Sequence, residues 1–310
     1  MTAAPSSPLR RRVIQALAAG AALGPGALAH PPEGREILKR PIPRTGEALP
    51  VIGLGTYRTF DMGASTAERA PLQEVLQLFV LRGGTVIDSS PMYGNAETVV
   101  GDLASALGLA DRLFYATKVW TTGREAGIRQ MEQSLRRLRV ARLDLMQIHN
   151  LLDLEIHQQT LKAWKAEGRV RYIGVTHYHE GAYDALERIL KTRAFDFVQL
   201  NYSIAEREAE KQLLPLAAET GTAVIVNRPF AQANLFHRVR GKSVPEWAVE
   251  FDCTSWAQFF LKYIVSHPAV TCAIPATGKP RHLEDNMLAG YGRLPDAAMR
   301  RRMAAFMDAI

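Results

Sequence analysis

An aspartate and a tyrosine share one short stretch, Asp88 and Tyr93 in the run TVIDSSPMYG at 85–94. A phenol is a weak acid, with an ordinary pKa of about 10, so using it as a proton donor calls for a cation beside it to stabilise the phenolate. Two later apolar runs end in candidate partners: LFYATK at 113–118 closes on Lys118, and LDLMQIH at 143–149 closes on His149. An acid, a phenol, a cation and an imidazole are a set that can move a proton. Each also has an ordinary structural reading: Asp88 and Lys118 as an ion pair, Tyr93 as a loop aromatic, His149 as a satisfied core histidine.

Groups so far apart in the chain meet only on a scaffold whose strand ends converge. Short apolar runs predict strands at 51–55, 85–88, 113–118, 144–149, 172–176, 197–201, 223–227 and 270–274. Segments of helical period lie between them, as in Ile128, Met131, Leu135 and Leu138, spaced so that one face is apolar. Strand then helix, eight times over, predicts an α/β fold, a (β/α)8 TIM barrel forming a single domain over 30–310. Ahead of it, residues 34–50 read as two short strands about a Thr-Gly turn, a β-hairpin that plugs one barrel end. The long interval 229–254 is expected to carry a substrate loop. A C-terminal helix follows, with Met299, Met303, Phe306 and Met307 on its apolar side. Arg300, Arg301 and Arg302 are expected there as a solvated face rather than a nucleic-acid patch.

The order Asp88, Tyr93, Lys118, His149 resembles the aldo/keto reductases, and further stretches carry the resemblance from residue 34 to about 290. They are GLGTY at 53–57, IDSSPMYG at 87–94, ATK at 116–118, QIHN at 147–150, GVTHY at 174–178, FVQLNYS at 197–203 and IPATGKPRHLEDN at 274–286. Each is weak alone, and together in this order they are specific. The resemblance implies NADPH as cofactor and reduction of a small-molecule aldehyde or ketone to an alcohol, with no metal. It gives Tyr93 the role of proton donor, with Lys118 lowering its pKa and Asp88 holding Lys118. His149 hydrogen-bonds the carbonyl oxygen as charge develops there.

The same resemblance assigns cofactor contacts. Thr176, His177 and Gln199 fall around the nicotinamide carboxamide. Asn227 stands where the family usually has a stacking aromatic, and Arg228 is offered to the pyrophosphate. Thr277 and Gly278 present hydroxyl and N–H groups to phosphate. Lys279 and His282 fall at the adenosine 2′-phosphate, favouring NADP(H) over NAD(H), and Asp285 with Asn286 at the adenine. Thr56, Tyr57, Asp88 and Pro229 complete the set. The substrate pocket is expected from Tyr57, Trp120, Asn150, Phe230 and Phe236, a lining suited to a hydrophobic or aromatic carbonyl.

Composition sets the remaining bounds. Of 310 residues, 47% are apolar, enough to fill a large core, and 38 basic against 31 acidic residues give +7. Arg10, Arg11 and Arg12 precede an uncharged Ala/Leu/Gly run ending at Ala29, the pattern of a twin-arginine signal peptide. Cleavage after Ala29, periplasmic or other export, and the twin-arginine machinery as a partner are therefore expected. The mature chain would carry 35 − 31 = +4, with no stable membrane span. Two cysteines, Cys253 and Cys272, exclude a disulfide framework. Two other readings stay open from the residues. His177 and His179 with His149 could serve a metal-dependent barrel hydrolase, and the barrel could bind NADP(H) as a regulatory subunit without turnover.

Overall fold

The computed structural model describes residues 36–310; the expected export signal at 1–29 lies outside them. Two antiparallel strands come first, β1 (Lys39–Pro41) and β2 (Ala48–Pro50). Eight parallel strands follow: β3 (Leu54–Gly55), β4 (Val86–Asp88), β5 (Phe114–Val119), β6 (Leu143–His149), β7 (Val170–Thr176), β8 (Phe197–Asn201), β9 (Ala223–Asn227) and β10 (Val270–Ala273). Each pairs with its neighbour in chain order. The barrel closes where Ile52 bridges Ala273 and Gly55 bridges Ala276.

Glycine makes that seam possible. A Cβ on Gly53 would sit 2.8 Å from the Val86 carbonyl oxygen, and one on Gly55 would sit 2.8 Å from that of Ile274. The first barrel strand is consequently regular over Leu54–Gly55 only, shorter than the expected 51–55.

Alternation along each strand sorts the residues between two cores. One parity, including Ile87, Tyr115, Met146, Ile148, Val198 and Val224, packs outward beneath the helices. The other fills the barrel: Val86, Phe114, Ala116, Leu145, Tyr172, Phe197, Ala223, Ile225 and Cys272 form one buried cluster. Ile42 and Leu49 from the N-terminal hairpin join it, fully or almost fully buried, so the hairpin does plug the barrel floor. Its loop is tied down where Thr45 Oγ1 meets Tyr172 Oη at 3.0 Å and Arg44 Nη2 donates to the Arg193 carbonyl at 2.9 Å. Followed upward, the inward parity changes character. Val86 gives way to Asp88, Ala116 to Lys118, Leu145 to Gln147 and His149, Phe197 to Gln199, and Ile225 to Asn227. One barrel end is packed with hydrocarbon and the other is lined with polar groups.

Outside, helices cover the sheet. Helix Ala96–Ala106 lies against helix Arg124–Leu138 through Gly101, where a Cβ would fall 2.1 Å from the Arg137 carbonyl oxygen and 2.8 Å from the Leu138 carbonyl carbon. Backbone cannot yield as a side chain does. Gly101→Ala is therefore expected to lower unfolding free energy by about 1–3 kcal/mol despite its better helix propensity, read by urea denaturation. A neutral or stabilising result would show that the two helices separate freely.

The C-terminal helix Ala297–Asp308 departs from expectation. Met303 and Met307 are buried as predicted, but Arg300 is not part of a solvated face. Its Nη2 donates to Tyr202 Oη at 2.6 Å and to Glu210 Oε1 at 2.7 Å, and Tyr263 Oη donates to the same carboxylate oxygen at 2.7 Å. Arg302 lays its guanidinium over the Trp247 ring at 4.3 Å. Arg300 thus fastens the helix to the barrel, while Arg301 and Arg302 remain exposed, as expected of a solvated face. Cys253 and Cys272 are both free and buried. No helix among the described residues is long and apolar enough to cross a membrane.

Candidate active site

The polar barrel end gathers the four strand-end groups. Lys118 Nζ, fully buried, donates to Asp88 Oδ2 at 2.6 Å and to the Ser89 carbonyl at 2.7 Å. The other carboxylate oxygen, Asp88 Oδ1, accepts from Gln199 Nε2 at 2.8 Å and Gln147 Nε2 at 3.2 Å. Burial opposes the Lys118 charge, but the adjacent Asp88 carboxylate, and then Tyr93, outweigh it and raise its pKa above the ordinary lysine value. The ammonium is held charged although it is fully buried.

Tyr93 stands over this cation, with Lys118 Nζ 5.0 Å from its ring centroid. On its other sides lie the Tyr57 ring at 4.9 Å and the His149 ring at 6.1 Å, edge-on. Its pKa differs from the expected lowering. Burial raises it, Lys118 pulls it back, and the Asp88 charge opposes Lys118, leaving the phenol above its ordinary value. In the resting site the proton stays on Tyr93, with the cation beside its ring.

His149 is 6% exposed. Burial first, then the Lys118 cation and His177, hold its pKa down to about 3. It is a neutral imidazole at any ordinary working pH. Its Nδ1 lies 3.2 Å from Ser90 Oγ.

A cavity of about 970 Å³ opens above these groups. Its lining includes Tyr93, His149, Trp120, Asn150 and Tyr57, with Phe230 and Phe236 from the 229–254 interval. It also takes in Thr277, His282, Asp285 and Asn286, around the start of helix Pro280–Leu288. Thr56, Asp88, Thr176, Gln199, Asn227, Arg228 and Pro229 line it as well. Lys118 is buried behind this lining. His177, Gly278 and Lys279 are outside the lining: the His177 ring stacks on Tyr178 at 5.3 Å, and Lys279 is exposed just before the helix.

Several assigned cofactor residues already have partners. Gln199 Oε1 accepts from Thr176 Oγ1 at 3.1 Å and from Asn227 Nδ2 at 3.3 Å. Asn227 Nδ2 also donates to the His177 carbonyl at 3.1 Å, and Arg228 Nη1 to the Tyr178 carbonyl at 2.8 Å. Where a ring would stack, the chain instead places an amide that ties β9 to the end of β7. Arg228, Ala231, Gln232 and Ala233 all have left-handed backbone, a clustered strain of the kind found at ligand clamps.

Gln147, Ser90, Met92 and Gln232 were not singled out from sequence. Gln147 had a signal: it lies two residues before His149 and so shares its inward parity. The H-x-H pair finds no set of ligands, since no three His, Cys, Asp or Glu among the described residues are placed to hold a metal ion. His177 and His179 meet ring edge to face at 4.4 Å.

Comparison with known proteins agrees with this geometry. The model of the aldo/keto reductase family matches residues 51–304. The methylglyoxal reductase YeaE of Escherichia coli is 29% identical over 247 residues, covering 77% of this chain and 84% of that one. An aldo/keto reductase of Klebsiella pneumoniae, solved with NADP and acetate, superposes with a TM-score of 0.72 at 29% identity, covering 84% of this chain and 93% of that one. A Klebsiella pneumoniae structure with NADPH gives 0.70 at 28% identity, over 84% and 92% of the two chains. With the family's model matched across nearly the whole barrel, this chain belongs to the aldo/keto reductase family.

Proposed function

We propose that the protein reduces an aldehyde or ketone to the alcohol with NADPH, using Tyr93 as proton donor. The observation that carries this is the position of the Tyr93 ring, between a fully buried ammonium at 5.0 Å and a neutral imidazole at 6.1 Å. Hydride for the carbonyl carbon comes from the nicotinamide of bound NADPH. The chain's own residues manage the oxygen. His149 donates a hydrogen bond to it, Tyr93 gives up its proton as negative charge builds there, and Lys118 stabilises the phenolate left behind. Asp88 fixes the ammonium in place. The cavity suits a dinucleotide: it has a volume of about 970 Å³, and its lining takes in both these groups and residues around a helix start where backbone N–H groups suit an anion.

The rim favours flat, apolar carbonyl compounds. Tyr57, Trp120 and Phe236 are large rings left 46%, 41% and 37% exposed around the mouth, and Phe230 packs on Phe236 at 4.9 Å. Such surface invites a partner that buries it. NADPH consumption against a panel of aromatic aldehydes and quinones tests the reading. Oxidation with several of them supports it, and none with any carbonyl would favour a binding-only barrel.

Preference for the phosphorylated cofactor rests on Lys279 and His282 beside the helix start. Because Lys279 is exposed, its contribution is screened, and Lys279→Ala is expected to weaken NADPH binding by about 1–2 kcal/mol while leaving NADH unchanged. Fluorescence titration with both nucleotides checks this. Equal losses for the two would remove Lys279 from the 2′-phosphate.

A further inference from the structure

A neutral imidazole has one proton and two nitrogens to carry it, and the two tautomers act oppositely on a carbonyl oxygen. With the proton on Nε2, His149 presents a donor to the cavity. With the proton on Nδ1, it presents a lone pair that repels the oxygen it should hold. The mechanism above therefore needs one tautomer, and something in the chain must select it.

Ser90 is placed to do so. It lies two residues after Asp88, fully buried, and its Oγ is 3.2 Å from His149 Nδ1. That is the side-chain hydrogen bond His149 makes among the described residues, and Nε2 is left open to the cavity. The direction of the bond follows from what else reaches Ser90. The Met92 N–H points at the same oxygen, 3.4 Å away, and occupies it as an acceptor. The oxygen keeps a second lone pair, but no other acceptor among the described residues is within hydrogen-bond reach of this hydroxyl, so accepting from an Nδ1–H would leave a buried O–H unpaired, whereas donating to Nδ1 satisfies it.

We infer that Ser90 is a positioning residue for the reaction: its hydroxyl donates to His149 Nδ1, fixes the ring proton on Nε2 and so makes that nitrogen the donor to the substrate oxygen. The inference rests on the reductase reading for its catalytic consequence, but the tautomer belongs to the ligand-free protein. The burial and neighbouring cation that keep His149 neutral keep the question confined to two forms. Ser90 also couples the loop that carries Tyr93 to the end of β6, since the Tyr93 N–H donates to the Ser90 carbonyl at 3.0 Å. One residue thereby orients the proton donor's backbone and the hydrogen-bond donor's ring.

Long-range proton–nitrogen correlation spectra of ¹⁵N-histidine-labelled protein report which ring nitrogen of His149 is protonated, without cofactor or carbonyl. Wild type is expected in the Nε2–H form. In Ser90→Ala a mixture should appear, and kcat should fall about tenfold, the scale of one misdirected hydrogen bond, with NADPH affinity unchanged. Ser90→Thr retains the hydroxyl and should restore both the tautomer and kcat. An Nδ1–H form in wild type overturns the inference even if the variant does not fold. So does an altered tautomer with unaltered kcat, or no change in either. If the wild-type protein reduces no carbonyl, the function proposed above fails while the spectrum still decides what Ser90 does to the ring.

Discussion

Replacing Tyr93 by phenylalanine is expected to lower carbonyl reduction by at least about 100-fold while NADPH still binds. Only one oxygen is lost. The ring keeps its contacts with Tyr57 at 4.9 Å and His149 at 6.1 Å, so the cavity wall stands and the nucleotide's path is untouched. What disappears is the proton. No other described group can take its place easily: His149 is neutral with its pKa held near 3, and the Lys118 ammonium is buried behind the cavity lining, held by Asp88 and the Ser89 carbonyl. Parallel assays of wild type and Tyr93→Phe, with nucleotide affinity measured by fluorescence, make the comparison. Equal turnover in the two proteins would take Tyr93 out of the mechanism and leave the site without a donor.

Lys118→Met carries the largest expected effect on stability as well as on turnover. Methionine fills similar space but leaves the Asp88 carboxylate, 2% exposed, with only the amides of Gln147 and Gln199. Breaking a buried ion pair from one side costs about 3–5 kcal/mol, because the remaining charge is stranded out of water. Urea denaturation of variant and wild type side by side at neutral pH reads it. Combining Lys118→Met with Asp88→Asn removes the stranded charge and should recover most of the stability with no recovery of turnover. A single variant as stable as wild type at neutral pH would mean the pair is far better solvated than its geometry implies.

Strands 197–201 and 223–227 coincide with their expected bounds, and the hairpin lies where the Thr-Gly turn placed it. Apolar runs between turn residues carry that information locally. The four groups at the barrel mouth were legible for a related reason: titratable side chains at the ends of apolar runs stand out. Gln147 and Ser90 did not, because an amide and a hydroxyl bear no charge and become informative only once their neighbours across the barrel are known. Arg300 was misplaced for the same reason. Helical period sees one turn at a time, whereas the carboxylate Arg300 reaches, Glu210, lies 90 residues earlier. The direction of the Tyr93 shift also escaped the sequence, since it depends on how burial and Asp88 together offset one cation.

Asp88 has a further consequence for how such a barrel can have arisen. Its two oxygens accept from Lys118 on the second strand along, Gln147 on the third and Gln199 on the fifth, counting from Asp88's own strand as the first. A barrel is easily imagined as two half-barrels joined, and many functions could be inherited by one half alone. Here the carboxylate's donors straddle any such cut. A fragment ending after β6 would lack Gln199, and one beginning at β7 would lack the aspartate itself. Asp88, Tyr93, Lys118 and His149 themselves all fall on β4 to β6 and the loop after β4, so what the second half of the ring adds to this centre is an amide that holds the carboxylate's other oxygen.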